Sequence, residues 1–243
     1  MRKTLISLSG GMDSAVLLAD SVPAFDGNLE GVSEVAAVRF YYGSRHGKME
    51  YKAASLLAKF YGVKLYNFNL KGIFDKFHSH LLKGPLPLPL GHYSDENMKL
   101  TVVPGRNTIF ASILLGLAQS QGYNQIALAN HAGDANTYPD CRPGWFHAMD
   151  DVTAIASEGS VEMLSPFLYL EKYEIVSIGH KLQVPFELTY SCYSGQPEPC
   201  WQCGSCTSRI EAFERAGVED PAYKKKNNHI LRKGGANGNT QPA

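Results

Sequence analysis

The sequence predicts an α/β fold, in which a parallel sheet carries helices on both faces and a small cysteine-rich subdomain follows at the C-terminus. Three observations support this prediction. Strand-length apolar runs alternate with helix-length segments, a glycine-rich turn joins the first run to the first helix, and four of the five cysteines lie between residues 192 and 206. At 243 residues, the chain is long enough for one sizeable domain with an appendage.

The alternation indicates βαβ units, because parallel strands need a crossover connection that usually contains a helix. The first and fourth apolar runs are almost continuously apolar, which is typical of strands that helices cover on both faces. Pro104 and Gly105 mark the start of the third helix. The predicted strands lie at 3–8, 34–41, 63–68 and 125–130, and the predicted helices lie at 13–21, 46–61 and 106–121.

Residues 71–103 form a long connection that departs from this alternation. Pro85, Pro87 and Pro89 stand there between apolar residues. A connection of this length without regular structure is uncommon and is often functional. We therefore expect an excursion over the active-site face, with a surface insertion as the alternative.

Composition limits the classes of partner and the location of the protein. Lys and Arg together number 23, as do Asp and Glu, and this balance gives no support for a large polyanion as the main partner. Met1, Arg2 and Lys3 could begin a signal peptide, but Asp13 and the glycines interrupt the apolar run too early. No run reaches the ~18 consecutive apolar residues of a membrane span. We expect a soluble cytoplasmic protein with no membrane partner.

The turn SGGMDS at residues 9–14 has the chemistry of an anion site. A tight turn that begins a helix directs backbone N–H groups and the positive end of the helix dipole at one point, where phosphate binds. Gly10 and Gly11 let the backbone approach phosphate oxygens, and Ser9 and Ser14 add hydroxyl donors. Asp13 repels phosphate unless Mg²⁺ lies between them. The turn therefore predicts a site for a nucleotide with Mg²⁺, although it is neither a Walker A sequence nor GxGxxG.

Two further segments place basic residues where open α/β sheets bind ligands. Arg45 and His46 follow the second predicted strand, at the carboxyl edge of the sheet. Arg106 begins a helix after a Pro-Gly turn, and a guanidinium at that position reaches phosphate oxygens. These residues are therefore candidates for contact with a bound nucleotide or its acceptor.

The cysteines between residues 192 and 206 have the spacing of a metal site. Cys192, Cys200, Cys203 and Cys206 give the pattern C-x7-C-x2-C-x2-C, and their thiolates can converge on one tetrahedral ion. Such clustering in a cytosolic chain favours a metal over disulfides. Four sulfur ligands close the coordination sphere, so we expect a structural zinc, with an iron–sulfur cluster as the alternative.

These observations divide the chain into three parts. Residues 1–189 are expected to form the nucleotide-binding α/β domain, and residues 190–220 a zinc-binding subdomain that includes a short helix at 209–217. Residues 221–243 have little apolar content and are predicted to be a disordered tail.

Five segments together resemble one known family. SGGMDS resembles the PP-loop of the ATP pyrophosphatase superfamily, whose members hold the pyrophosphate of ATP and transfer AMP to an acceptor oxygen. With YYGSRH at 41–46, VPGRN at 103–107, YPDCR at 138–142 and the cysteine cluster, the chain resembles the QueC family of 7-cyano-7-deazaguanine synthases in queuosine biosynthesis. The resemblance covers about residues 3–216 and implies a Rossmann-like (HUP, PP-loop) sheet.

The resemblance implies an AMP-forming carbon–nitrogen ligase that converts 7-carboxy-7-deazaguanine and ammonia to 7-cyano-7-deazaguanine. It also implies ATP, Mg²⁺ and Zn²⁺ as cofactors and a homodimeric assembly. Asp13, Arg106 and His46 are expected to be catalytic. The residues expected to bind ATP are Leu8, Ser9, Gly10, Gly11, Asp13, Ser14 and Arg106, and those expected to bind the deazaguanine are Arg45, His131, Asp134, Tyr138, Asp140 and Arg142.

The segment before YPDCR departs from the family pattern. Asn136 and Thr137 stand where relatives tend to carry Ser-Gly, and His131 is either a packed core histidine or a base near the acceptor. These differences leave the ATP half unchanged and concern the acceptor. Two alternatives stay open: an enzyme that stops at the amide or transfers the adenylated acyl group to a protein amine, as in antiphage defence, and a tRNA-modifying PP-loop adenylase.

Overall fold

The computed structural model describes residues 1–22, 34–84, 86–90 and 96–222, and the predicted disordered tail lies mostly outside these residues. Within them, five parallel strands form one sheet in the order β3-β2-β1-β4-β5. The predicted parallel α/β fold is confirmed. The strands are β1 (Lys3–Ser7), β2 (Glu34–Tyr41), β3 (Lys64–Asn69), β4 (Gln125–Ala127) and β5 (Glu162–Leu164).

Helices connect the strands and cover the sheet. Three of them, α1, α2 and α4, match predicted helices to within one residue at each end. The helices are α1 (Met12–Ser21), α2 (Gly47–Phe60), α3 (Lys71–Phe74), α4 (Arg106–Gln121), α5 (Ala132–Ala135), α6 (Pro143–Ala156), α7 (Lys172–Lys181) and α8 (Gly204–Ala216).

Both faces of the sheet are buried, as the continuous apolar character of β1 predicts. Leu5 points into a core that contains Phe110 and Leu114 of α4. The next residue, Ile6, points into a second core, with Val176 of α7 and Phe213 of α8. The alternation of side chains along a strand therefore sends successive apolar residues of β1 to opposite layers.

Five elements were absent from the sequence prediction: β5, α6 and α7, and the four-residue helices α3 and α5. The strand β5 is only three residues long and its first residue, Glu162, is exposed, so it has no apolar run to detect. Helix α7 begins with a capping box, in which Glu171 and Glu174 exchange side-chain and backbone hydrogen bonds. Helix α8 begins five residues before the predicted start at 209, because Cys203 of the cysteine cluster is its N-cap.

Helix α4 lies within Met98–Gln121, which is long and apolar enough to cross a membrane by length and composition. Phe110, Ala111 and Leu114 on this helix are buried against the sheet. At its first residue, Arg106 lines a polar cleft. We therefore interpret α4 as a core helix of the α/β domain.

The described part of the connection 71–103 packs beside the end of β2. The guanidinium of Arg45 donates hydrogen bonds to the carbonyls of His80, Leu82 and Gly84, and also to that of Leu86. Among the residues of this connection that the structure describes, none lines the cleft. The expected excursion over the active-site face is therefore not observed in the described part of the segment.

Both the backbone conformation and the close packing at position 10 require a glycine there. Its φ is +88°, and a Cβ at this position would lie 2.8 Å from atoms of Glu50, Ala53 and Ala54 on α2. We expect Gly10→Ala to lower the free energy of unfolding by about 3 kcal/mol, from left-handed strain and overpacking combined. Gly62 is the matched control, because its φ is +66° but nothing lies within 4 Å. Chemical denaturation measures both; equal losses in the two variants would contradict this account.

Candidate active site

A polar cleft opens at the carboxyl ends of β1, β2 and β4. Ligands bind at such a position in open α/β sheets because the strand order reverses there, with β2 and β4 on opposite sides of β1. The lining comes from the SGGMDS turn, the ends of β2 and β4, and the starts of α4 and α7. Its polar members include Ser9, Asp13, Ser14, His46, Glu50, Arg106, Asn107, Asn130, Asp134, Lys172 and Arg209.

The SGGMDS turn connects β1 to α1 as the sequence predicts. The Oγ atoms of Ser9 and Ser14 lie 3.1 Å apart, and the N–H of Gly11 donates to Ser9 Oγ at 3.2 Å. No side chain among the described residues caps the start of α1, so its first N–H groups are available to a ligand. The turn thus combines a helix N-terminus with two hydroxyls, a combination that binds phosphate.

Charged side chains form a compact cluster behind this turn. Asp13 Oδ2 lies 3.5 Å from Lys172 Nζ and 3.8 Å from His131 Nε2, and the same histidine nitrogen lies 3.5 Å from Asp134 Oδ2. Burial alone would lower the pKa of Lys172, but the carboxylates of Asp13 and Asp134 outweigh it and raise that pKa above its ordinary value. Lys172 is therefore a permanent cation at the edge of the turn.

Close helix packing brings Lys172 to this position. A Cβ at Gly179 would lie 2.6 Å from Val16 Cγ2, so this glycine lets α7 approach α1 closely. The loop after β4 is joined to the segment before α7 by the hydrogen bond from Ala132 N to Leu170 O. These contacts gather Asp13, His131 and Lys172 from three separate parts of the chain.

Arg106 lies at the first turn of α4, on the opposite side of the cleft from α1. Its guanidinium carbon lies 5.7 Å from the ring centre of Tyr42 and 5.8 Å from that of Tyr138. Asp140 supports this helix start, because its Oδ2 accepts a hydrogen bond from Asn107 N at 2.9 Å. The two aromatic rings and the supported helix end hold the guanidinium at the cleft lining.

His46 is part of a buried polar network that lines the cleft. Its Nε2 lies 3.3 Å from Glu50 Oε1, and Ser44 Oγ donates to the other carboxylate oxygen at 3.1 Å. Burial raises the pKa of Glu50, but His46, Arg39 and Ser44 outweigh it, so the pKa lies below the usual range and the carboxyl is ionised. His46 Nδ1 is buried and has no hydrogen-bond partner among the described residues.

Several predicted acceptor-binding residues lie near the cleft without lining it. Arg45 is engaged with loop carbonyls, and exposed Arg142 donates to Ala135 O at 2.9 Å. Tyr138 is buried, and its hydroxyl lies 2.8 Å from Thr101 Oγ1. His131 is 1% exposed and lies behind the cleft wall, whereas Asp134 reaches the lining. The roles predicted for these residues stay predictions.

The four clustered cysteines converge next to the SGGMDS turn. All four sulfur atoms lie within 4.8 Å of one another, and Cys192 Sγ is 3.5 Å from Cys200 Sγ. The cluster packs on Ala53 of α2. Tyr190, two residues before the first cysteine, donates its N–H to Gly10 O at 2.9 Å. The cysteine cluster, defined by Cys192, Cys200, Cys203 and Cys206, therefore supports the turn from behind.

Comparison with known proteins identifies the family. The family described as "Queuosine biosynthesis protein QueC" matches residues 3–217 of this chain. The chain belongs to the QueC family. Two relatives named 7-cyano-7-deazaguanine synthase are similar to it: one from Pseudoalteromonas atlantica is 39% identical over 91% of this chain and 98% of its own length. The other, from Allorhizobium ampelinum, is 42% identical over 90% of this chain and 91% of its own length.

A solved structure supports the fold of this QueC family member. The U34-tRNA thiolase NcsA from Methanococcus maripaludis, with its [4Fe-4S] cluster, superimposes with a TM-score of 0.50 at 18% sequence identity. The match covers 88% of this chain and 64% of the thiolase chain. At this identity the likeness concerns the fold alone. The predictions of the QueC family, a PP-loop fold and an enzyme of the carbon–nitrogen ligase class are confirmed.

Sequence reasoning missed five polar residues of the cleft lining: Glu50, Asn107, Asn130, Lys172 and Arg209. For two of them, Lys172 and Glu50, the sequence contains a signal. The motif LEKYE at 170–174 contains the capping box of α7, and it could have indicated that Lys172 begins a helix at the carboxyl edge of the sheet. Glu50 lies four residues after His46, a spacing that brings two side chains together on a helix. That spacing is visible in RHGKME at 45–50 and could have suggested the pair.

Proposed function

We propose that this protein is a 7-cyano-7-deazaguanine synthase, which converts 7-carboxy-7-deazaguanine and ammonia to the nitrile at the expense of ATP. The observation that carries the proposal is the match to named synthases along nearly their whole length, at 39% to 42% identity. The cleft at the SGGMDS turn supplies the groups that this chemistry needs.

ATP fits the cleft with its phosphates at the turn. The first N–H groups of α1, with Ser9 and Ser14, would hold the pyrophosphate portion, and Gly10, Gly11 and Leu8 would form the adjoining wall. Lys172 and Arg106 approach from the starts of α7 and α4, so positive groups would surround the phosphates.

Asp13 suits a Mg²⁺ ion bound with the nucleotide. Its Oδ1 is buried without a hydrogen-bond partner among the described residues, and a buried carboxylate oxygen in this state is suited to a hard cation. When bound, Mg²⁺ would neutralise charge on the phosphates and on the departing pyrophosphate. Asp13 would hold the ion, while Lys172 holds the orientation of Asp13.

The first round forms the amide. A carboxylate oxygen of the substrate attacks the α-phosphorus of ATP, the bond to pyrophosphate breaks, and an acyl-adenylate results. Lys172, Arg106 and the N–H groups of the turn stabilise the charge that develops on the leaving pyrophosphate. Ammonia then attacks the acyl carbon, AMP departs with the former carboxylate oxygen, and one proton is released.

The second round forms the nitrile in the same cleft. The amide oxygen attacks a second ATP at the α-phosphorus, with loss of pyrophosphate and of one amide proton. Elimination of AMP and of the remaining proton leaves the carbon–nitrogen triple bond. Because each round presents an oxygen to the same phosphorus, positioning and electrostatics suffice for both. Cys141 is not required as a nucleophile, and burial raises the pKa of its thiol.

The acceptor would lie between the start of α4 and the loop that follows β4. Asp134 lines the cleft there. The resemblance to the QueC family also assigns Arg45, His131, Tyr138, Asp140 and Arg142 to the acceptor site. We propose that they shape the deazaguanine site. Several of them would do so by holding loops in place rather than by contact with the deazaguanine ring.

We propose that the cysteine cluster binds one Zn²⁺. A tetrahedral zinc with bonds of about 2.3 Å places its sulfurs roughly 3.8 Å apart, which agrees with a cluster confined within 4.8 Å. An iron–sulfur cube binds each cysteine to a different iron and therefore spreads the sulfurs farther apart. The closed set of four thiolates would make the zinc structural.

Loss of one zinc ligand should destabilise the protein and the turn together. We expect Cys203→Ser to lose zinc and to melt at a lower temperature. We also expect weaker ATP binding, because Tyr190, two residues before the cluster, donates its N–H to Gly10 O in the ATP-binding turn. Cys141→Ser is the control, since this buried cysteine lies outside the cluster and should leave zinc content unchanged. Elemental analysis and thermal melting measure both. Iron with acid-labile sulfide, or no metal, in the unaltered protein would contradict the assignment.

We also propose that the protein acts as a cytoplasmic homodimer, which membership of the QueC family supports. Free ammonia would be the nitrogen donor. Light scattering at micromolar protein concentration would measure the assembly, and a monomer that retains full activity would contradict the dimer.

Mass spectrometry of the products tests the proposed function. Purified protein is supplied with Mg-ATP, 7-carboxy-7-deazaguanine and ammonium. We expect the nitrile, AMP and pyrophosphate. Accumulation of the amide without nitrile, or formation of ADP and phosphate, would contradict the proposal. A protein or RNA conjugate that forms only when such an acceptor is added would favour one of the two alternatives raised by the sequence.

A further inference from the structure

The proposed reaction releases a proton when ammonia attacks the acyl-adenylate, and the cleft must accept it. The nitrogen begins with three protons and forms its bond to the acyl carbon through its lone pair. The amide keeps two protons, and AMP leaves with the bonding electrons of the carbon–oxygen bond. The third proton needs an acceptor within hydrogen-bond reach of the nitrogen.

Most titratable groups that line the cleft are unsuited to accept this proton. Asp13 and Asp134 keep Lys172 protonated, so Lys172 has no lone pair to accept a proton. The two carboxylates are themselves engaged with this cation. Burial raises the pKa of Tyr42 to about 12, so this hydroxyl stays protonated. Arg106 and Arg209 are permanent cations. Burial also raises the pKa of the Cys141 thiol and of the Tyr190 hydroxyl. We therefore consider His46 and Glu50 among the described residues of the lining.

The geometry of the pair distinguishes the role of each member. Both carboxylate oxygens of Glu50 are engaged, one with His46 Nε2 at 3.3 Å and the other with the hydroxyl of Ser44 at 3.1 Å. An ionised carboxylate accepts hydrogen bonds, so the neutral imidazole carries its hydrogen on Nε2. Nδ1 then has a free lone pair, and this atom is buried without a hydrogen-bond partner among the described residues.

We propose that His46 is the general base for ammonia attack and that Glu50 is its positioning residue, an inference that rests on the proposed function. His46 Nδ1 accepts the proton from the attacking nitrogen, and Glu50 fixes the tautomer and stabilises the imidazolium that forms. The proton then passes to solvent when AMP and pyrophosphate leave. In the second round the same atom accepts the proton that is lost when the amide oxygen is adenylated. After that proton has passed to solvent, it accepts the proton that is lost when AMP is eliminated.

The surroundings of the pair hold it beside the SGGMDS turn. His46 precedes α2 and Glu50 lies in its first turn, where Arg39 donates to Gly47 O at 2.5 Å. The backbone of Glu50 meets Gly10 of the ATP-binding turn, since a Cβ on that glycine would lie 2.8 Å from Glu50 O. On the other side, the ring of Tyr193 lies 5.5 Å from the imidazole. The base is thus fixed relative to the turn that holds the reacting phosphate.

Separate measurement of the two half-reactions tests this inference. ATP–pyrophosphate exchange in the presence of 7-carboxy-7-deazaguanine, without ammonia, reports adenylation, which releases no proton. Single-turnover formation of the amide from preformed adenylate and ammonium reports the attack. We expect Glu50→Gln to slow amide formation by about 100-fold and to leave exchange unchanged, since general-base catalysis contributes about 10² to 10⁴.

Two further variants complete the design. Lys48→Gln, an exposed change on the same turn of α2, should leave both rates unchanged. His46→Ala should lose amide formation, and added imidazole should restore part of it, which a purely structural role would not allow. Equal losses of exchange and amide formation in Glu50→Gln, or unchanged amide formation, would overturn the inference while the unaltered protein still makes nitrile. An unaltered protein that makes no nitrile would overturn the proposed function, and this inference with it.

Discussion

Replacement of Lys172 by methionine is expected to reduce ATP–pyrophosphate exchange by about 10²- to 10³-fold, the effect of removing one preorganised donor to a developing negative charge. Lys172 Nζ lies 3.5 Å from Asp13 Oδ2, and its side chain is 15% exposed. Methionine keeps the length and apolar volume of the side chain but removes the cation. The carboxylates of Asp13 and Asp134 would then repel the phosphates without the neutralising charge of Lys172.

Lys181→Met provides the matched control for this change. Lys181 is exposed at the other end of α7, so its replacement alters the same helix and the same net charge. We expect its exchange rate to equal that of the unaltered protein. Melting temperatures of both variants establish that they are folded. A Lys172→Met protein that is folded and exchanges pyrophosphate at the normal rate would remove Lys172 from the phosphate site.

Replacement of Asp13 by asparagine is expected to reduce exchange by about 10³-fold, because metal stabilisation of transition-state charge is worth several kcal/mol and each 1.36 kcal/mol is tenfold in rate. Asparagine keeps the shape of the side chain and removes the charge that would hold Mg²⁺. It also removes the anionic partner of Lys172. The Mg²⁺ concentration required for half-maximal exchange should rise as well.

Asp20→Asn is the control for Asp13, since Asp20 lies in the last turn of the same helix and is exposed. Exchange measured across a Mg²⁺ titration distinguishes two explanations of a lower rate. Recovery of activity at high Mg²⁺ supports a ligand role for Asp13. A low rate with an unchanged Mg²⁺ dependence would contradict that role and would indicate that Asp13 serves mainly to orient Lys172.

Local sequence patterns predicted those elements whose conformation depends on residues that are close in sequence. The apolar run before SGGMDS predicts β1, and the turn itself predicts the helix start, because glycine conformation and N-terminal N–H groups act within a few residues. The short strand β5 could not be predicted in this way. Its pairing with β4 depends on the finished sheet, and a three-residue segment that begins with exposed Glu162 has no detectable period.

Site residues could be predicted where they lie close together in the sequence. They could not be predicted where the packing of separate elements brings them together. The four cysteines are close in sequence, and their sulfurs converge as expected. Lys172 reaches Asp13 only because Gly179 lets α7 pack closely on α1, a contact that no local pattern reveals. Arg45 shows the converse: its motif indicates a ligand contact, but its guanidinium is engaged with the carbonyls of the connection that follows β3.

The fate of the substrate oxygens tests whether one cleft adenylates an oxygen twice. 7-Carboxy-7-deazaguanine labelled with ¹⁸O in both carboxylate positions is supplied with Mg-ATP and ammonium, and mass spectrometry follows the label. We expect two AMP for each nitrile, one ¹⁸O in every AMP, and no label in pyrophosphate. Unlabelled AMP, label in inorganic phosphate, or an amide that retains one ¹⁸O as the final product would contradict this expectation.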